Sequence, residues 1–565
     1  MAEEDFWETW ARAVGRILAD RWGVTPPEDP LDVPADPRFG DAVCSAPLRL
    51  ARQTGRPPRA LAEELAEALR RASLPLLDRV EVAGNGFVNL TASPAAFQSE
   101  CRRILQEGPD YGRRNLGRGR RVLVEHCSAN PTGPLHIAHG RQAAVGDSLA
   151  NILDFAGYRV SREFYINDTG NQIEMLGKSI LWRLSGNPEP PDENCYRGDY
   201  IRALAEELRA AGGPCDLSQA KRFGKERLLD EIRRDLEDFR VRYDTWFSQE
   251  ALEKSGRVQA LVEFLKRQGR TRDEDGATWL RSKELGDVED KVLVKSDGTY
   301  AYRTPDLAYH QDKFERGFDI LIDLWGPDHH AHVATMKAGL KGLGFELVPP
   351  ALAGDGRRSF EVLIIQHCRL LEGGREVKMS KRSASYVTLR ELMQEVGVDA
   401  ARFFFVMRKT QSPMDFDLDV ARKRSLDNPV YYAQYAHARI ASIWRKGIEE
   451  GKIDPAEIKD GLWRGEFDPS KAGPEEVELL RTARRFRTRV ERAARDLEPA
   501  VLADYLRELS GAYQRYYEGG NRAPEKRVLA DDPEVRRARL AASAAVQQVL
   551  RNGFRLLGLS APEQM

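Results

Sequence analysis

A strand, a loop, a helix and a second strand follow one another within residues 122–165, and that order leaves few folds open. Val122-Leu123-Val124-Glu125 is short and apolar, as a strand requires. Asn130-Pro131-Thr132-Gly133-Pro134 cannot be regular helix. The stretch from His139 to Phe155 reads as a helix closed by Gly157, and Tyr158–Tyr165 as another strand. Strand, helix and strand in so compact a run form a βαβ unit, hence a parallel sheet. Ligands of such sheets bind beyond the carboxyl ends of the strands, where helix N-termini offer N–H groups to phosphates.

Pro134-Leu135-His136-Ile137-Ala138-His139-Gly140-Arg141 occupies that place. Imidazoles at His136 and His139 can donate to phosphate oxygens as charge builds on phosphorus. Taken alone, the pair also fits a helix cap and a core histidine, or a zinc site completed from His329, His330 and His332. Zinc would consume the same phosphate donors. Far downstream, Gly373-Gly374 precede Val377-Lys378-Met379-Ser380-Lys381-Arg382. Two ammonium groups on a glycine-hinged loop suit closure over a triphosphate and stabilisation of departing pyrophosphate. By itself that segment is also what a solvated basic loop looks like.

The length of 565 residues implies about three or four domains. Residues 1–112 form a small α+β module: a helix from Phe6 to Trp22, a Pro-rich stretch, an amphipathic helix near Arg59–Ala72, and a hairpin about Gly84-Asn85-Gly86. The second segment, 113–420, is the α/β one. A mixed region at about 167–290 interrupts it as an insertion, and the pattern resumes in strands at 291–295, 320–324 and 361–365. The third segment, 421–565, is all-α. Arginines 481, 485, 489 and 492 share one helix face there, suited to phosphates unless they pair with nearby glutamates.

The formal net charge of −1, from 87 Lys+Arg and 88 Asp+Glu, neither demands nor excludes a nucleic-acid partner. No apolar run reaches the roughly 20 residues of a membrane span. The acidic start lacks a signal-peptide pattern. Six scattered cysteines without a Cys-x-x-Cys fit free thiols in a reducing cytoplasm and no structural zinc.

The two peptides, in this order, resemble the paired signature of class I aminoacyl-tRNA synthetases. Their surroundings resemble the arginyl-tRNA synthetase family: Glu125-His-Cys-Ser128-Ala-Asn130-Pro131, Tyr165-Ile-Asn167-Asp168-Thr-Gly170-Asn171-Gln172, Tyr302-Arg-Thr-Pro305-Asp306, Trp325-Gly326-Pro-Asp328-His329-His330, and Asp427-Asn428-Pro429 through Arg439. The resemblance implies a Rossmann-like catalytic domain, an N-terminal domain reading the tRNA elbow and a helical anticodon-binding domain. It implies ATP, with Mg²⁺, at His136, Ala138, His139, Gly326, Asp328, Lys378, Met379, Ser380 and Lys381. Among these, His136, His139, Lys378 and Lys381 would stabilise charge during catalysis. L-arginine would lie against Glu125, Ser128, Asn130, Tyr302, Asp306 and His329. A guanidinium needs carboxylates in fork geometry, which Glu125 and Asp306 would supply. Asp306, following Pro305, also reads as a helix cap.

By the same resemblance, tRNA(Arg) would contact Phe87, Asn89, Tyr435, Arg439 and Tyr516, and the enzyme would be a monomer. Phe87 equally suits a core position. One departure stands out: Ala138 replaces a glycine that lets adenine approach the backbone, and one methyl should be tolerated. Gly133, where enzymes lacking the second signature often carry lysine, is consistent with that signature being intact here. The rival readings are another carboxylate-activating ligase on this scaffold, a non-catalytic tRNA-binding paralogue and a zinc hydrolase.

Overall fold

A computed structural model describes residues 5–26, 30–34, 36–212, 215–377 and 387–565. The catalytic unit is built on a five-stranded parallel sheet. Its order across the sheet is Ser359–Ile364, Ile320–Trp325, Arg121–Glu125, Arg159–Ile166, Thr245–Ser248. The chain leaves Arg121–Glu125 toward one edge and later returns to its other side at Ile320–Trp325. The crevice at that reversal opens beyond Glu125 and Trp325, where doubly wound sheets place ligands.

Two expectations about this sheet need correction. Thr245–Ser248 falls inside the expected insertion of 167–290, yet it is the sheet's fifth strand. Four half-buried residues at an edge carry too little apolar pattern to be read. Conversely, Lys291–Val294 does not rejoin the parallel sheet. It pairs antiparallel with Ala277–Leu280, which pairs with Thr271–Glu274. Only Leu293 of that strand is buried, as in a sheet covered on one face, whereas a parallel strand is buried on both.

The inserted helices Asn171–Ser185, Asp199–Ala211 and Leu217–Asp238 pack around a core of their own that includes Leu176, Ile180, Ile201 and Leu204. The helix Ile137–Phe155 is buried nearly all round, because the sheet lies on one side and the helical unit on another. Its Gly146 admits the His126 ring: a Cβ there would sit 2.2 Å from His126 Cγ.

In the N-terminal unit, Leu61, Leu65 and Leu69 form the buried stripe of helix Pro58–Arg71. Leu77–Ala83 and Phe87–Ala92 make the expected antiparallel hairpin. Gly84 and Gly86 take positive φ in its turn, as such turns require. The C-terminal unit stacks four long helices, Pro429–Glu449, Pro474–Arg495, Ala500–Arg522 and Pro533–Leu556. Its closing residues run back along the catalytic unit. Leu557 O accepts from Arg402 Nε at 3.0 Å, and Ser560 N donates to Asp399 at 3.1 Å.

Candidate active site

The crevice holds a cavity of about 1020 Å³ whose walls include Glu125, Ser128, Asn130, His139, Tyr302, Asp306, Gly326, Asp328 and His329. Thus most of the residues expected around arginine and ATP meet in one space. Its outer rim comes from the insertion, through Glu193–Arg197 and Tyr200.

Asp306 is not the helix cap but sits in the first turn of Arg303–Glu315. It shares one face with His310 and Lys313, at i, i+4 and i+7. His332 Nε2 lies 2.7 Å from Asp306 Oδ2, and His310 Nδ1 lies 3.2 Å from Oδ1. His310 Nε2 is 2.7 Å from Asp323 Oδ2. Lys313 Nζ donates to Asp323 at 2.9 Å and to Glu125 Oε2 at 2.6 Å. A continuous chain of alternating charge therefore joins the two expected guanidinium carboxylates. Among the described residues, Glu125, His310 and Asp323 are close enough to hold a metal. The Lys313 ammonium already fills that place.

Burial works to raise the Asp306 carboxyl, but His310 and His332 override it and hold it well below the usual range. Burial and Lys313 pull His310 down, yet Asp323 and Asp306 lift it to about 9. Burial lifts Glu125 most, Lys313 opposes it, and Asp323 adds to the lift. A second cation reaching Glu125 would relieve that upward pressure.

Sequence reasoning missed His310, Lys313 and Asp323. Two signals were available: the 306/310/313 spacing, and a lone carboxylate in the apolar strand Ile320-Leu-Ile-Asp323-Leu-Trp325. A buried charge demands a partner.

Ser128 serves its neighbours first. Its hydroxyl donates to Glu125 Oε1 at 2.9 Å and accepts from Tyr165 N at 3.1 Å. The turn that puts it there holds Cys127 at φ 69° and Ser128 at φ 39°, a left-handed conformation uncommon without glycine. Asn130 Nδ2 donates to Gln172 Oε1 at 2.7 Å. Tyr302 and His329 stand exposed at the mouth.

At the nucleotide end, the His136 and His139 rings stack at 3.7 Å and 23°. His136 N donates to His139 Nδ1 at 3.3 Å. With Nδ1 accepting, the neutral His139 ring carries its N–H on Nε2. His139 lines the cavity with Gln142, and His136 stacks against it. Ala138 is half-buried and lies outside the cavity wall. Lys378, Met379, Ser380 and Lys381 lie outside the described residues. Thr388 and Leu389 lie against the histidine turn: His136 bridges Thr388, and Leu389 N donates to Leu135 O at 2.8 Å.

The expected tRNA contacts are divided. Phe87 is 40% exposed but Asn89 only 5%: Asn89 is flanked by Val43 on one side and Glu81 on the other, whereas Phe87 pairs only with Ala83 beside the hairpin turn, so Asn89 is not an exposed contact. Tyr431 and Tyr435 stack at 5.9 Å, and the Arg439 guanidinium lies 4.5 Å from the Tyr435 ring and 4.3 Å from Tyr517. Tyr516 is half-buried and gives its hydroxyl to Glu476 at 2.7 Å, which makes it a packing residue. Three of the four arginines on the expected face of Pro474–Arg495 turn inward, and Arg492 stays exposed. Arg481 bonds Asp41 of the N-terminal unit at 2.7 Å, and Arg485 and Arg489 share Glu508. Arg492 pairs with Asp496.

Comparison with known proteins agrees with this geometry. Residues 100–184 and 216–425 match the family described as tRNA synthetases class I (R), catalytic domain. This fold and site therefore define a class I aminoacyl-tRNA synthetase. Residues 8–92 match the arginyl tRNA synthetase N terminal domain and 433–565 the DALR anticodon binding domain. The chain is 43% identical to the arginine–tRNA ligase of Nitratidesulfovibrio vulgaris strain DP4 over 98% of both proteins. It is 40% identical to that of Bacillus subtilis strain 168, over 95% of this chain and 94% of that one. A crystal structure described as a putative arginyl tRNA synthetase from Campylobacter jejuni superposes with TM-score 0.73 and 28% identity, covering 84% of this chain and all of that one. The chain belongs to the arginyl-tRNA synthetase family.

Proposed function

We propose that this cavity activates L-arginine with ATP and passes it to tRNA(Arg), as the chain's place among the arginine–tRNA ligases implies. The observation that carries the assignment of residues is the pairing of two ends in one cavity. Glu125 and Asp306 present carboxylates at one end, and the N-terminus of the histidine helix stands at the other. The guanidinium lies against Asp306 and Glu125 with Tyr302 and His329 at the mouth. The α-ammonium donates to the Asn130 carbonyl oxygen.

In the first step a carboxylate oxygen of arginine attacks the α-phosphorus in line. The new P–O bond forms as the bond to pyrophosphate breaks. The His136 and His139 N–H groups, with Lys378 and Lys381, stabilise the developing charge. Positioning and electrostatics suffice, and no side-chain nucleophile is needed. In the second step a terminal ribose hydroxyl of tRNA attacks the acyl carbon and AMP leaves. The donor set at the nucleotide end, His139 and Gln142 with the exposed carboxylate of Asp328, suits Mg²⁺ carried on the phosphate oxygens better than a protein cage. When bound, that ion neutralises phosphate charge.

Residues 1–112 take the tRNA elbow through Phe87, 113–420 catalyse, and 421–565 take the anticodon through the Tyr435–Arg439 face. The enzyme acts as a cytoplasmic monomer. Among the described residues no helix is long and apolar enough to cross a membrane. The test is charging of total tRNA with each labelled amino acid in turn: only arginine should be incorporated. Incorporation of another amino acid instead would overturn the assignment.

A further inference from the structure

Arg141 lies two residues beyond His139 and is fully buried. Among the described residues no carboxylate bonds to it. Its Nη1 donates to Gln366 O at 2.7 Å, and its Nη2 to Lys409 O at 3.0 Å and Ser412 O at 2.9 Å. Burial lowers its pKa, and among the described residues its Nε has no hydrogen-bond partner. A leucine would occupy this place in an apolar helix at less cost, since a buried charge held only by neutral carbonyls is expensive. What the guanidinium adds is position. It fastens the histidine helix to two chain segments at once, the exit of the edge strand Ser359–Ile364 and the loop 409–412.

That loop is held from its other side by the helical unit. Glu498, in the turn between Pro474–Arg495 and Ala500–Arg522, accepts from Thr410 N at 2.9 Å and Thr410 Oγ1 at 3.1 Å. Its second oxygen accepts from Ala500 N at 3.3 Å, at the start of the following helix. Gln366 N donates to Thr410 O at 3.1 Å and closes the ring. We propose that Arg141 and Glu498 are positioning residues for the adenylation step. Through loop 409–412 they make the seating of the helical domain decide where His136 and His139 stand.

The inference rests on the histidine roles proposed above, and its test separates the two. Arginine- and tRNA-dependent ATP–pyrophosphate exchange is measured on the full chain beside tRNA Kd by filter binding. Glu498→Leu should lower the exchange kcat about tenfold with tRNA Kd within about twofold. Glu498→Gln keeps an acceptor for Thr410 and should restore most of the rate. Thr410→Val, which keeps the fold should Glu498→Leu lose it, should lose about threefold. Combining Glu498→Leu with Arg141→Lys should cost less than the product of the single effects, because both act on one loop. An unchanged kcat in a folded Glu498→Leu chain, or a Kd weakened by as much as kcat falls, overturns the coupling. Undiminished exchange in His139→Ala would strike the histidine assignment itself.

Discussion

Two regions of this molecule are dense in charge and use it in opposite ways. Around the cavity, Glu125, Lys313, Asp323, His310 and Asp306 alternate in sign, and the two end carboxylates face open space. On helix Pro474–Arg495 three arginines are spent inward. Arg487 pairs with Asp5 and Glu8, Arg484 lies 4.6 Å over Phe6 and 4.4 Å over Trp7, and Arg481 bonds Asp41. The first region leaves carboxylates to be completed by a ligand; the second completes its own charges and binds two domains. Charge density alone does not mark a ligand site. The discriminating fact is whether the final partner is already inside the protein.

The largest effect should follow from opening the first network at its centre. Lys313→Met leaves Glu125 and Asp323 buried without their cation and should cost about 3–5 kcal/mol of stability, read by urea unfolding. A loss below about 1 kcal/mol would mean the network is not the rigid frame described. Asp306→Ala should lower arginine activation at least about a hundredfold, on the order of 3 kcal/mol, in exchange assays run with tRNA. Near wild-type exchange would remove Asp306 from the guanidinium site.

The network should also show in pH. His310 is raised to about 9 in the fold from 6.5. Its contribution is therefore fully present below about pH 6.5 and fades as pH rises through about 9. Unfolding at pH 7 and pH 10 should differ by about 2–3 kcal/mol more in the wild type than in His310→Gln. Equal differences would show that His310 is neutral in the fold.

Against these, Arg481→Ala should cost only about 1 kcal/mol and leave tRNA affinity within about twofold. A tenfold weaker Kd with unchanged stability would return that helix to the role of phosphate face. Smallest of all, Ala138→Gly should change the ATP KM by less than about tenfold, since the methyl lies outside the cavity wall.

Much of the site was legible because short-range chemistry carried it. Asn130 through Arg141 sits where a strand becomes a helix, and both histidines came out on that turn. Asp306 was found by resemblance, and its cap reading failed because the carboxylate had stronger partners across the fold. Asn89 and Tyr516 were misjudged for one reason: a polar or aromatic side chain reads the same whether it meets solvent or a neighbour. Thr245–Ser248 escaped notice because edge strands need little apolar pattern.

The sequence by itself determined the parallel sheet, the histidine turn and the three-part order of the chain, since periodicity and turn residues act over a few positions. Only the tertiary structure decided which charges are compensated. Lys313 reaches Glu125 across 188 positions of chain, and Arg481 reaches Asp41 across 440. Pairing of that kind depends on distance and burial in space, and neither is written in local order.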